Sequence, residues 1–149
     1  MQRYERKYNV DFVNSQEIER ILMNHPALFR EIYFERKVNN VYFDTISFKI
    51  FYDNINGSMH RKKYRIRWYG NPFGKVENPK LEVKNKSGFL GWKNIYKLKS
   101  FIFKDGFSCD FFSKLIANSN IPEEITKMLD YQKPVAFNSY DRKYFLSID

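Results

Sequence analysis

Cysteine is nearly absent from this chain of 149 residues: Cys109 stands alone, so no internal disulfide framework can form. A reducing, cytoplasmic setting is then the simplest expectation. Cys109 lies in Phe107-Ser108-Cys109-Asp110-Phe111-Phe112, where a free thiol reads as a small packing hydrophobe. Only six glycines and five prolines are present, which argues against a low-complexity linker or a disordered tail. No apolar run approaches the ~18 residues that a membrane-spanning helix needs, and no signal peptide is visible. The expectation from these absences is a soluble domain without a transmembrane segment.

Charge and aromatic rings are abundant. The 26 Lys and Arg against 17 Asp and Glu leave a formal charge of +9, which favours anionic partners without choosing among phosphates, nucleic acid and acidic membrane surfaces. Aromatic residues make up 19%, mostly Tyr and Phe interleaved with charges, a composition suited to strands.

Along the chain, Arg3-Tyr4-Glu5-Arg6-Lys7-Tyr8 has a period of two, with Arg3, Glu5 and Lys7 on one face. Asn14-Ser15-Gln16-Glu17 is a capping-box signature and opens a predicted helix over about 15–24, ended near His25-Pro26. Val41 to Asp44 reads as a strand, and Ser47 to Asp53 fits either a short helix or a strand. Asn54 to Gly57 is a turn, and His60 to Tyr69 a strand closed by Gly70-Asn71-Pro72. Strands over Lys80–Lys86 and Trp92–Phe103 are joined as a hairpin around Ser87-Gly88-Phe89-Leu90-Gly91. Helices are expected over Ser108–Asn118 and from Pro122-Glu123-Glu124, and a last strand over Pro134–Ser147. No repeat or composition break divides the chain, so one α+β domain over 1–149 is expected.

The informative feature is which face of each strand carries charge. In Arg61-Lys62-Lys63-Tyr64-Arg65-Ile66-Arg67-Trp68, positions 61, 63, 65 and 67 are all basic, while Tyr64, Ile66 and Trp68 oppose them. In Leu81-Glu82-Val83-Lys84-Asn85-Lys86, the residues Glu82, Lys84 and Lys86 share a face, with Leu81 and Val83 on the other. On alternation alone, the default meaning is a solvated outer face. A solvated face usually mixes signs, however, because like charges on neighbouring strands repel. Glu-x-Lys also recurs on candidate strands, at Glu5-Lys7 and Glu82-Lys84. These features favour a core outside the sheet and a charged face lining a cavity. Such a wall is costly when empty and is neutralised by a phosphate chain gripped by Arg forks and Lys ammonium groups. The carboxylates would then suit a hard divalent cation, Mn²⁺ or Mg²⁺.

At these residues the sequence resembles the VTC-type polyphosphate polymerases of the CYTH-like, or triphosphate tunnel metalloenzyme, superfamily. The matching segments run in order: Arg3 to Tyr8, Val41-Tyr42-Phe43-Asp44-Thr45, Lys63 to Gly70, Leu81 to Lys86, and Ser139-Tyr140-Asp141-Arg142-Lys143-Tyr144-Phe145. The Arg-x-Arg-Trp-Tyr-Gly string followed by the Glu-x-Lys strand is the most specific. The resemblance implies an eight-stranded antiparallel β-barrel, the triphosphate tunnel, with a few flanking helices. It implies a metal-dependent phosphotransferase that binds ATP and extends polyphosphate with the ATP γ-phosphate. By position, Lys7, Arg65, Arg67, Lys84 and Arg142 would grip phosphates as the catalytic set. Lys63 and Lys86 would be substrate-binding residues on the same faces, and Glu5 and Glu82 would assist the metal or orient the lysines. The family pattern continues with further strands after Tyr-x-Arg, including its principal metal-binding glutamate. The expectation here is therefore about six strands and an incomplete tunnel, whose open edges would encourage self-association into a homo-oligomer.

Other residues weigh less. His25 and His60 have no partner that sequence can place. Asp44 reads as a turn residue, although it could approach the site. Trp92-Lys93 and Tyr96-Lys97 fit an aromatic, basic nucleic-acid surface or another tunnel strand. Gly88 and Gly91 flank a hairpin tip and form no phosphate loop. Beside the polymerase stand three alternatives: a triphosphatase of the same superfamily, a non-catalytic polyphosphate or inositol-phosphate binder, and a nucleic-acid module.

Overall fold

The computed structural model describes residues 6–104 and 108–148. The described chain forms two compact units, one of residues 1–35 with 143–149 and the other of residues 36–142. The elements in chain order are α1 (Ser15–Met23), β1 (Arg30–Asp44), α2 (Lys49–Ile55), β2 (His60–Tyr69), β3 (Gly74–Val76), β4 (Lys80–Ser87), β5 (Leu90–Lys97), β6 (Phe101–Phe103), α3 (Cys109–Ala117), α4 (Glu123–Asp130) and β7 (Lys133–Leu146).

In the smaller unit, α1 starts where its local chemistry directs. Asn14 Oδ1 accepts from Glu17 N at 2.9 Å and Glu17 Oε2 accepts from Asn14 N at 3.2 Å, closing the capping box. Tyr33 and Tyr144 meet edge to face at 5.7 Å, and Lys143 Nζ lies 2.6 Å from Glu19 Oε1 and 3.5 Å from Glu35 Oε2. Residues 6–8 of the period-two opening segment lie outside any strand, and its first residues, Glu5 among them, lie outside the described residues.

The larger unit is built on a five-stranded sheet in the order β5-β4-β2-β1-β7, with a separate two-stranded sheet of β3 and β6. The pairs β1/β2, β2/β4 and β4/β5 are antiparallel. The sheet does not close into a barrel among the described residues: in place of the eight-stranded tunnel stands an open, mostly antiparallel sheet of five strands, in keeping with the expected incomplete barrel. Its core lies on one face. Val41, Phe43, Tyr64, Ile66, Trp68, Leu81 and Val83 bury there against Phe101 and Phe103 of β6, Phe112, Leu115 and Ile116 of α3, and Leu129 of α4. The hydrophobic contribution of that layer leaves the alternate residues of every strand free to be polar. Trp68 anchors the layer: Phe101, Phe103 and Phe137 ring it at 5.2–5.9 Å, and its Nε1 donates to Asn71 O at 3.1 Å.

Three sequence expectations change. The segment expected as one strand over Trp92–Phe103 is two, because Leu98 turns inward and its N–H bonds to Pro79 O. After Pro72 a short strand, β3, pairs with β6. The ambiguous stretch after Ser47 is helical, and the reason is Asp44. Its carboxylate, buried at the end of β1, accepts from Thr45 N at 2.7 Å, Ile50 N at 2.9 Å and Phe51 N at 2.9 Å. The N-cap position itself is Phe48, which makes no side-chain cap bond, so Asp44 satisfies the first-turn donors from a distance. Asp44→Ala is expected to lower stability by about 1–2 kcal/mol, measured by urea unfolding, with the loss of helical signal confined to α2.

Candidate functional site

The face of the sheet opposite the core carries the basic residues, and strand register decides who meets whom. Across β2, β4 and β5 the rows are Arg67-Lys80-Lys97, Arg65-Glu82-Ile95, Lys63-Lys84-Lys93 and Arg61-Lys86-Gly91. On the β1 side, Asn40 stands opposite Arg67 and Tyr42 opposite Arg65. Glu82 is the single carboxylate that these three strands contribute.

Glu82 is the hub of this wall. Its Oε2 accepts from Arg65 Nε at 2.8 Å and from Arg65 Nη2 at 2.6 Å, and lies 3.7 Å from Arg67 Nη1. Its Oε1 accepts from Lys93 Nζ at 3.0 Å. The Glu82 side chain is only 5% exposed and that of Arg67 9%, whereas Arg65 retains 25%. Burial alone would push the Glu82 carboxyl up. The hydrogen bonds from Arg65 and Lys93, with the charges of Arg65 and Arg67, outweigh it and hold the carboxyl below its ordinary value. For Arg65 burial opposes the charged form, but the bonds to Tyr42 and Glu82 prevail and its pKa is raised.

Uncharged groups complete the positioning. Arg67 Nε donates to Asn40 Oδ1 at 2.8 Å, and Arg67 Nη2 reaches Tyr140 Oη at 3.5 Å. Asn40 Nδ2 in turn donates to Asn138 Oδ1 at 2.8 Å, which ties β1 to β7. Alternation along β7 then places Asn138, Tyr140 and Arg142 on the same face as this network.

Of the residues expected from sequence, Arg65, Arg67, Glu82, Lys84, Lys63, Lys86 and Arg142 therefore share one sheet face. Arg65 and Arg67 converge on Glu82, while Lys84 is exposed and its side chain makes no hydrogen bond or ion pair to another described residue. Lys7 is exposed and belongs to the smaller unit, and Glu5 falls outside the described residues. As for a divalent cation, no group of three or more His, Cys, Asp or Glu gathers at ligand spacing among the described residues. Glu82 already receives three cations, so the described wall is not by itself a donor set for a metal.

Sequence reasoning gave no role to Asn40, Tyr42 and Tyr140, and left Lys93 between two meanings. One signal was present: Asn is depleted in strands, so Asn39-Asn40 amid Val38 and Val41 marks buried amides with specific partners. Both are fully buried, and Asn39 bonds Gly70 O and Ser139 Oγ. His60 Nδ1 lies 3.0 Å from Ser87 Oγ at the sheet end and away from the Glu82 hub.

A cationic wall of this kind does one thing well. Row on row of Lys and Arg with one internal counter-charge is complementary to an extended polyanion, whose oxygens can accept from successive rows. The family model for the VTC domain matches residues 2–149. No curated protein matches the chain.

Proposed function

The chain belongs to the VTC domain family, and from that premise we propose that its basic sheet face binds a linear phosphate chain, polyphosphate or the triphosphate of ATP. The observation that carries the reading is the row Lys63-Lys84-Lys93 on adjacent strands. Glu82 is the single carboxylate that β2, β4 and β5 set against these rows and is shared among Arg65, Arg67 and Lys93, so the three strands keep an excess of positive charge that an anion lying across them offsets. Arg65 and Arg67 would grip the next phosphates, with Lys86 and Arg142 extending the track along the same face. Glu82 acts as the positioning residue that holds Arg65, Arg67 and Lys93 extended and charged.

The proposed chemistry is transfer of the ATP γ-phosphate to the end of a polyphosphate chain, in which catalysis is mainly positioning and charge neutralisation. A divalent cation, Mn²⁺ or Mg²⁺, would enter largely bound to phosphate oxygens, as Mg²⁺ commonly does. The test is incubation of the full chain with ATP and each metal, followed by sizing of the products. Long-chain polyphosphate supports the polymerase. Release of orthophosphate alone assigns the triphosphatase, and tight polyphosphate retention without turnover assigns a binding module. Absence of both polyphosphate binding and ATP turnover rejects the reading.

A further inference from the structure

A second surface lies at the end of the sheet where β2 begins and the β4–β5 hairpin turns. Ser87 pairs with Leu90, so the loop between them is only Gly88-Phe89. Gly88 has φ +58, a conformation that glycine adopts without strain at the first position of a two-residue hairpin loop. That turn sets Phe89 at the apex, where it is 103% exposed, beside Leu90 at 65%. Met59 stands alongside, since Gly88 N donates to Met59 O at 2.9 Å, and is itself 63% exposed. Trp92, opposite Asn85, is exposed on the flank. Phe89, Leu90 and Met59 thus project into solvent at the tip, while Trp92 lies on the flank and lines a cleft with Pro122, Glu124 and Ile125.

The strands that form this tip carry charge of one sign. Arg61 pairs with Lys86 on the wall face, and Lys62 pairs with Asn85 on the other, so cations flank the tip on both sides of the sheet. Residues 54–76 and 83–104, which supply the strands of the tip, contain no Asp or Glu, and Glu124 of α4 faces Lys62 and Trp92 across the cleft on one flank. An apolar apex with a cationic collar matches the boundary of an anionic bilayer, where rings and aliphatic groups enter below the headgroups and Lys and Arg pair with phosphates above. A protein partner or a nucleic acid fits less well: an apex fully open on all sides offers a protein no groove, and Phe-Leu at the leading point would face phosphates in a nucleic acid.

We infer that the Phe89-Leu90 hairpin tip is a membrane-docking element that inserts into anionic phospholipid surfaces. This role is separate from the phosphate-chain reading, because the tip residues are not in the basic wall. The chain carries its own reporter, since it has two tryptophans, of which Trp68 is buried and Trp92 flanks the tip. The experiment uses the full chain with phosphatidylcholine vesicles, with and without phosphatidylserine. Binding should require phosphatidylserine and shift the emission to the blue, and Trp92→Phe should abolish the shift but not the pelleting. Phe89→Ser with Leu90→Ser should weaken binding at least tenfold while leaving the circular dichroism and polyphosphate retention unchanged. Phe89→Trp, which keeps the apex apolar, should retain binding. Equal pelleting of wild type and the double serine variant would reduce the contact to charge adsorption and overturn the proposal. So would capture of RNA or self-association through the tip with no vesicle binding.

Discussion

Glu82→Ala is expected to destabilise the larger unit by about 3–5 kcal/mol, the range for removing one partner of a buried ion pair. The carboxylate is 5% exposed and accepts at 2.6–3.0 Å from Arg65 and Lys93. Its removal leaves the Arg67 guanidinium, 9% exposed, facing Arg65 with no anion between them. Asn40 and Tyr140 still hold Arg67 in place, and water reaches Arg65, so the lower end of the range is expected. Equilibrium urea unfolding at neutral pH measures it, and a loss below about 1 kcal/mol would mean that the hub is not structural. The same variant reports on acid stability. Because the folded Glu82 carboxyl is held below its ordinary value, its stabilisation is fully present above the unfolded carboxylate value, about 4.3. That stabilisation is lost as pH falls through the lower, folded value. Wild type should therefore lose part of its advantage over Glu82→Ala in strongly acid solution. Added polyphosphate should raise the melting temperature of Glu82→Ala more than that of wild type, since the ligand supplies the missing anion.

The second large effect concerns ligand binding. Replacing Lys63, Lys84 and Lys93 together by Gln should cut polyphosphate affinity about a thousandfold. Each charge-assisted bond contributes about 1.5–3 kcal/mol, or roughly tenfold and upward. The change also removes the bond from Lys93 to Glu82, although Arg65 and Arg67 keep that carboxylate paired, so urea unfolding of the variant accompanies the titration. The control is the triple Gln variant at Lys99, Lys104 and Lys114, which has the same net charge and lies outside β2, β4 and β5. Titration with polyphosphate at fixed ionic strength should show near wild-type affinity for the control. Equal losses in both variants would mean that net charge, and not the wall, binds the ligand.

Much of this arrangement was legible in one dimension. The bounds of β2 match the sequence expectation at both ends, His60 and Tyr69, because basic and apolar residues alternate from Lys63 to Trp68 and Gly70-Asn71-Pro72 closes the strand. The helix at Ser15–Met23 was marked by its capping box, a contact over three residues. Lys63, Arg65 and Arg67 were placed on one face by period two alone. The helix after Ser47 was not legible, since its cap comes from Asp44 across an intervening turn. Nor were Asn40 and Tyr140, whose partners lie 27 and 73 residues away at Arg67.

The division follows the range of the forces involved. Side-chain alternation and helix capping are local, so the sequence by itself determined which residues share a face, where the hairpin turns, and that the shared face is overwhelmingly basic. Register is non-local: sliding a strand by one residue exchanges its two faces, and only the buried layer around Trp68 penalises the slip. Tertiary structure therefore decided that Glu82 falls between Arg65, Arg67 and Lys93 and becomes the counter-charge that keeps the wall assembled.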